Sequence, residues 1–446
     1  MNKPVHIIGG GTVFHIRPHL ALSAPAYGKV VRDIEEALYQ NNFDGLVHSY
    51  TTKMAGNRHS IWSARTGRDD VEPKNLETNE DIAALLNELC TDPKPKVIIL
   101  PAALCDFEVE SIDGLWSMGE KLRDIGKAYS RLSSAHEYGL NLRPSEKVIQ
   151  KVRRTRKDIF LVGFKTTTGA TPEQQFDAGL NLVKKASCNL VLANDLETRM
   201  NMVVTPEQAP YYMTYDRRSA INGLVSMAVD RSKGHFTRSE VREGEPVTWT
   251  GETVPASLRT VVDHCIKRGA YKPFNGKTVG HFAFKVDNGV FVTSRRGVNF
   301  NELDKVGMVM VLAKGDDNVI AMGAKPSVGG QSQRIIFADH PDVDCIVHFH
   351  CPMKGDRHEN LVRGDIPMRS QEAHECGSHE CGKNTSDGLK VFDLYNGNLK
   401  YPVKAVMLEK HGPNIVFNKN VDPKLVIDFI EKHWDLERQT SEVLSV

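Results

Sequence analysis

A chain of 446 residues exceeds what one ordinary hydrophobic core spans, so two domains of roughly 200 residues each are expected. Hydrophobic residues make up 40%, charged residues 25%, and the net charge is +1; bulk charge therefore gives no support to a nucleic-acid or membrane-surface role. No apolar run is long enough to cross a bilayer, and the N-terminus lacks a separate apolar segment before a small-residue cleavage site.

Cys90, Cys105, Cys188, Cys265 and Cys345 are scattered singly in apolar runs, the pattern of reduced, buried thiols, so a cytoplasmic location is expected. In chain order, Val5-His6-Ile7-Ile8 reads as a strand that ends in Gly9-Gly10-Gly11-Thr12. Such a turn suits a phosphate, because bare backbone N–H groups can approach the anion; alone it reads equally as an ordinary tight turn. A helix pattern runs from Gly28 to Gln40, followed by strands at Gly45 to Tyr50, Lys96 to Ala102 and Ile159 to Phe164. A helix from Pro172 to Ala186 leads to a strand at Leu190 to Ala193. Alternating strands and helices predict a mainly parallel sheet covered on both faces, with ligands at the carboxyl ends of its strands.

From Thr237 to Pro255 the sequence turns polar and loses periodicity, which sets expected domains at 1–236 and 255–446. The second half opens with a helix at Ser257 to Arg268. Strands follow at Gly280 to Asp287, Val290 to Ser294, Val306 to Leu312 and Val319 to Ala321, then a helix at Gln331 to Asp339. Cys345 to His350 and Val403 to Leu408 read as strands, and Pro423 to Ser441 as a closing helix. In a strand, residues two apart share a face, so His348 and His350 can act as a chelate, with His411 as third ligand at the end of another strand. Three imidazoles would leave a coordination position open, as a catalytic metal needs. The bare His-x-His pattern also fits two surface histidines on an edge strand.

The C-terminal half resembles the class II aldolase/adducin family over about residues 255 to 440. The resemblance rests on Gly280-His281-Phe282-Ala283, Ser294-Arg295-Arg296-Gly297, Lys325-Pro326-Ser327, Val347-His348-Phe349-His350 and Leu408-Glu409-Lys410-His411-Gly412, in that order. It implies a three-layer α/β/α fold, a divalent metal of the zinc type on His348, His350 and His411, and substrates that are sugar phosphates or hydroxy-carbonyl compounds. The metal would polarise a carbonyl and stabilise an enediolate. The family's acid/base glutamate after Lys-Pro-Ser is missing from Ser327 to Gln333, and its usual Asn near the first strand is His281. His374-Glu375-Cys376-Gly377-Ser378-His379-Glu380-Cys381 offers three readings. Glu375 or Glu380 replaces the acid/base, the cysteines and histidines hold a second metal, or the segment is a reduced polar loop.

The N-terminal half resembles phosphopantothenate–cysteine ligase over about residues 4 to 205. The matching pieces are Gly9-Gly10-Gly11-Thr12, Gly28-Lys29, Ala102-Ala103-Leu104-Cys105-Asp106-Phe107, Val162-Gly163-Phe164 and Ala193-Asn194-Asp195. This implies a Rossmann-like domain that takes a nucleoside triphosphate, CTP or ATP. Gly10, Gly11 and Thr12 would hold phosphates, Phe164 would line the pocket, and Asn194 and Asp195 would touch base or ribose. Of the family's basic loop only Lys127 and Arg131 remain, and Arg17 is either a phosphate contact or part of a surface turn.

The expected fold is thus α/β: a Rossmann-like parallel sheet followed by a class II aldolase-like domain. The expected function is a bifunctional enzyme with a phosphorylated small-molecule substrate, no nucleic-acid or membrane partner, and, by resemblance, a homo-oligomeric state. Two alternatives remain open: only the metal domain is catalytic, as an epimerase or dehydratase, or the chain is a non-catalytic binding protein that keeps both folds.

Overall fold

The computed structural model describes residues 2–114, 121–314, 318–328, 330–355, 366–396 and 402–442. The chain divides into two compact units: Met1–Thr205 with Tyr211–Lys233, and Pro206–Pro210 with Gly234–Val446. No helix among the described residues is long and apolar enough to cross a membrane.

The first unit is built on a nine-stranded sheet. Its five central strands are parallel and lie in the spatial order Val47–Thr51, Val5–Gly9, Val97–Leu100, Phe160–Thr167, Leu190–Asp195. By chain position this is 2-1-3-4-5, so the order reverses between Val5–Gly9 and Val97–Leu100, and ligands bind at such a reversal in open α/β sheets. The strands read as unbroken apolar runs because both faces are covered: Val97 to Leu100 and Leu190 to Ala193 are wholly buried. Further strands extend both sides: the antiparallel His59–Ser63 and Gly67–Val71 at one, and the antiparallel Asn201–Val204 followed by Pro210–Thr214 at the other. These were not visible as strands in the sequence; Gly67–Val71 is almost wholly exposed and carries no apolar alternation.

Helices Lys29–Gln40 and Pro172–Ala186 fall where the periodicity puts them. Helix Pro172–Ala186 begins with a capping box between Thr171 and Gln174. Two further helices, Asn79–Thr91 and Arg217–Arg231, were not expected. Asn79–Thr91 starts on a Thr78/Asp81 capping box and ends on a cation: Lys96, fully buried, donates to the Leu89 and Asp92 carbonyls at 2.7 and 2.8 Å. A buried ammonium on the last carbonyls of a helix satisfies orphan acceptors and matches the helix dipole.

The second unit is a nine-stranded, mostly antiparallel sheet in the order Arg238–Arg242, Asn318–Met322, Met308–Lys314, Val290–Ser294, His281–Asp287, Cys345–His348, Gly412–Phe417, Val403–Leu408, Met368–Arg369. On one face Leu258, Val261 and Val262 of helix Ala256–Arg268 and Val426 and Ile430 of helix Pro423–His433 pack on Phe282, Val347 and Ile415. On the other, Ile336 of helix Gly330–Asp339 and Leu389 of helix His379–Tyr395 pack on Ala283, Ile346 and Val416. The result is the three-layer α/β/α arrangement. The polar stretch after Thr237 contains an edge strand, Arg238–Arg242, exposed at every position, which is why it shows no apolar pattern. The closing helix stops at His433 rather than Ser441, because Trp434 turns extended and buries completely in the core.

Replacing Lys96 with Met keeps the buried volume but removes the donors from the Leu89 carbonyl. The expected cost is about 2 kcal/mol, read as a lower urea midpoint with an unchanged slope.

Candidate functional site

Antiparallel partners lie on the same face of a sheet. The register His281↔His348 and His348↔Asn414 therefore sets three polar residues in a row across adjacent strands. Two residues further along, Ala283, Ile346 and Val416 pack on the side of helix Gly330–Asp339, so the row faces that helix. The strand ends at His348, two residues short of the expected end, and His350 lies just beyond it. His411 sits in the turn between Val403–Leu408 and Gly412–Phe417.

This turn and the strand start at Gly280 press against the backbone of His348 to His350. Gly412 has φ 150°, and a Cβ there would lie 2.0 Å from the Phe349 carbonyl oxygen. Gly280 has φ 96°, and its Cβ would lie 2.5 Å from the His348 carbonyl oxygen. From below, Thr440 donates its N–H to the His350 carbonyl at 2.8 Å and its hydroxyl to the His411 carbonyl at 3.0 Å.

The three imidazoles are buried, with ring centroids 4.6 to 5.0 Å apart. One ring nitrogen from each lies within 4.8 Å of the others. His348 Nδ1 is 2.7 Å from the Pro413 carbonyl oxygen, which can only accept, so Nδ1 carries the proton and Nε2 keeps its lone pair. That Nε2 is 3.3 Å from His411 Nε2. Two nitrogens each roughly 2.05 Å from one tetrahedral zinc stand about 3.3 Å apart, so the donor set fits such an ion. Burial pushes His348 down to about 4 against the opposing Pro413 carbonyl, and burial with the neighbouring His348 pushes His281 well below its usual value. Neutral imidazole is the ligand form.

His281 has a partner the sequence did not reveal. Gln333, fully buried on helix Gly330–Asp339, places Nε2 2.8 Å from His281 Nδ1. The available signal was spacing: Gln333, Ile336, Phe337 and His340 form an i, i+3, i+4, i+7 stripe, so Gln333 is a polar group on a buried face.

Glu375 is buried in the turn that leads to helix His379–Tyr395. Glu380, in that helix's first turn, accepts from the His235 N–H at 3.0 Å and from its Nδ1 at 2.6 Å. Burial raises the Glu380 carboxyl, and the two His235 donors outweigh it, so the group sits below its usual range. Among the described residues His348, His350 and His411 are the one group of His, Cys, Asp or Glu close enough to share an ion, so the histidines and cysteines of residues 374–381 do not form a second one. All eight cysteines are free thiols.

In the first unit, Gly10, Gly11 and Thr12 follow strand Val5–Gly9 at the reversal of strand order. The Gly11 N–H donates to the Ala26 carbonyl and the Thr12 N–H to the Ala103 carbonyl, at 2.8 and 2.9 Å. The Thr12 hydroxyl donates to Asn79 at 2.7 Å. Phe164 is half-buried on strand Phe160–Thr167, and Asn194 and Asp195 end strand Leu190–Asp195. Arg17 is buried rather than part of a surface turn: it donates to the Ile16 and Asp124 carbonyls and lies 5.5 Å from the Tyr129 ring centre. Lys127 pairs with Glu77 at 2.7 Å.

Residues 262–422 match the Class II Aldolase and Adducin N-terminal domain family. The matched stretch includes all three histidines. The N-terminal half is similar to two archaeal relatives, each named coenzyme A biosynthesis bifunctional protein CoaBC. The Thermococcus kodakarensis protein is 30% identical over 122 residues, 27% of this chain and 27% of the relative. The Methanocaldococcus jannaschii protein is 27% identical over 199 residues, 43% of this chain and 40% of the relative. The chain therefore spans less than half the length of either. Among solved structures, an L-fuculose 1-phosphate aldolase aligns at 15% identity over 43% of this chain and 87% of its own, with a TM-score of 0.29.

Asp195 is the most heavily bonded carboxylate at the sheet's carboxyl edge. It accepts from the N–H groups of Gly169, Ala170, Glu197 and Thr198 and from the Thr167 hydroxyl, at 2.8 to 3.1 Å. Burial raises its carboxyl, but these donors outweigh it and hold it well below the usual carboxylate range. A carboxyl depressed in the folded state contributes stability that is complete above its unfolded value of about 4 and is lost as pH falls below that. Between pH 5 and pH 3 the wild type should lose stability more steeply than Asp195→Asn, measured by urea unfolding at each pH.

Proposed function

We propose that the chain is a two-unit enzyme whose aldolase-type unit is a metal-dependent lyase acting on a phosphorylated sugar or related hydroxy-carbonyl compound. The observation that carries this reading is the convergence of the buried His348, His350 and His411, with burial keeping His348 neutral and Pro413 fixing its tautomer. These three residues would hold the ion, and an all-nitrogen donor set suits zinc. A bound zinc-type ion supplies a Lewis acid for a carbonyl oxygen. Glu375 and Glu380 are the candidate proton carriers in a unit that has no carboxylate between Ser327 and Gln333. Glu375 is buried and Glu380 is engaged by His235, so a proton-transfer role for Glu380 would have to compete with that contact.

For the N-terminal unit we propose binding of a nucleoside triphosphate, CTP or ATP, at the strand-order reversal, in a carboxylate–amine ligation. Gly10, Gly11, Thr12, Phe164, Asn194 and Asp195 would frame the site. The similarity to the CoaBC proteins and the 2-1-3-4-5 strand order support it. A second reading, in which this unit binds a ligand without catalysing its own step, is favoured by the commitment of the Gly11 and Thr12 amides and the Asp195 carboxylate to the protein itself.

Elemental analysis of the purified protein should find close to one transition-metal ion per chain, and His348→Ala/His350→Ala should hold none. Chelation should lower the melting temperature of the wild type and leave that of the variant unchanged, since a ligand that binds only the folded state stabilises it. A wild type free of metal after reconstitution overturns the lyase reading. Nucleotide-dependent release of pyrophosphate or phosphate by the full chain separates the ligase reading from the second one.

A further inference from the structure

We infer that His281 and Gln333 form a positioning pair that holds the His348 imidazole in its ligating orientation; the inference rests on the metal reading above. His281 and His348 are direct cross-strand partners, and their rings lie 4.7 Å apart, tilted by 35°. His348 is thereby constrained on two sides. The Pro413 carbonyl fixes its Nδ1 edge, and the His281 ring lies beside it within ring-stacking distance. Rotation of the His348 ring would need both to give way.

His281 does not reach the centre itself, since the group of ring nitrogens within 4.8 Å of one another contains only His348, His350 and His411. Its own orientation is set from the helix layer by Gln333, whose amide nitrogen is 2.8 Å from His281 Nδ1. Gln333 is completely buried, and among the described residues its amide oxygen has no hydrogen-bond partner. A buried amide placed at such a cost in stability is better explained by what it holds than by packing, for which an apolar residue would serve. Neither residue follows the resembled family's pattern: His281 stands where that pattern has Asn, and Gln333 falls in the segment that lacks its glutamate. Groups that orient a metal-bound imidazole typically change metal affinity about 10- to 100-fold when removed.

The test is cobalt(II) binding to the metal-free full chain, by competition with a chromophoric chelator, together with the visible spectrum of the cobalt form. Wild type should bind one cobalt per chain. Gln333→Leu should bind roughly tenfold more weakly or worse, with an altered spectrum and a melting temperature that shows it is folded. The double variant His281→Phe/Gln333→Leu, which restores an apolar ring against His348 and removes both polar groups, should recover affinity to within about threefold of wild type, since residues in contact do not act additively. Unchanged affinity and spectrum in Gln333→Leu overturn the positioning role and leave the metal reading standing. Failure of the wild type to bind cobalt overturns both. If Gln333→Leu does not fold, Gln333→Met takes its place, with the same loss supporting the pair and unchanged affinity and spectrum overturning it.

Discussion

Three imidazoles can share a point inside a protein only if the backbone that carries them is held from every side. His350 lies past the end of its strand and His411 lies in a turn, so ladder hydrogen bonds alone do not place them. Their positions depend on close backbone approaches at Gly280 and Gly412, where any side chain would meet a carbonyl oxygen of His348 or Phe349. Thr440 then ties the carbonyls of His350 and His411 to one residue. Burial keeps the His348 imidazole neutral, and the Pro413 carbonyl chooses which of its nitrogens is left to bind. The chemistry proposed for this unit follows from that packing.

The first unit solves a related problem with a carboxylate. At the carboxyl edge of a parallel sheet the chain leaves each strand through a loop whose amides lack ladder partners. Asp195 collects four amide donors from two such loops and a hydroxyl from the end of the neighbouring strand, and so fixes that part of the sheet's carboxyl edge. The Gly11 and Thr12 amides are spent on the Ala26 and Ala103 carbonyls. The edge is thus organised before any ligand arrives, and a ligand there would be met chiefly by side chains and by loops from several strands.

Much of this was legible in the sequence, for identifiable reasons. The central strands of the first unit are apolar throughout, and helix Pro172–Ala186 carries both a proline start and a capping box, so pattern and structure agree. His348 and His350 announce themselves by their spacing, and His411 by the Glu-Lys-His-Gly sequence around it. What escaped is what periodicity does not report. Arg238–Arg242 and Gly67–Val71 are exposed edge strands with no buried face to mark them. Helix Arg217–Arg231 is buried on several sides and so shows no stripe. Gln333 and Asn414 join the site through sheet register and helix packing, which a linear reading cannot align. Arg17 reads from sequence as part of a surface turn or a phosphate contact, and it is buried at the end of strand Val13–Arg17, where it donates to the Asp124 carbonyl.

The central claim is that this chain holds a metal ion on histidine nitrogens alone. X-ray absorption at the metal edge of the purified protein tests it most directly. The account predicts three imidazole nitrogens at roughly 2.0 to 2.1 Å with a further light atom in the open position. Sulfur scatterers at about 2.3 Å, which would place the ion on cysteines, or the absence of bound metal, would contradict it.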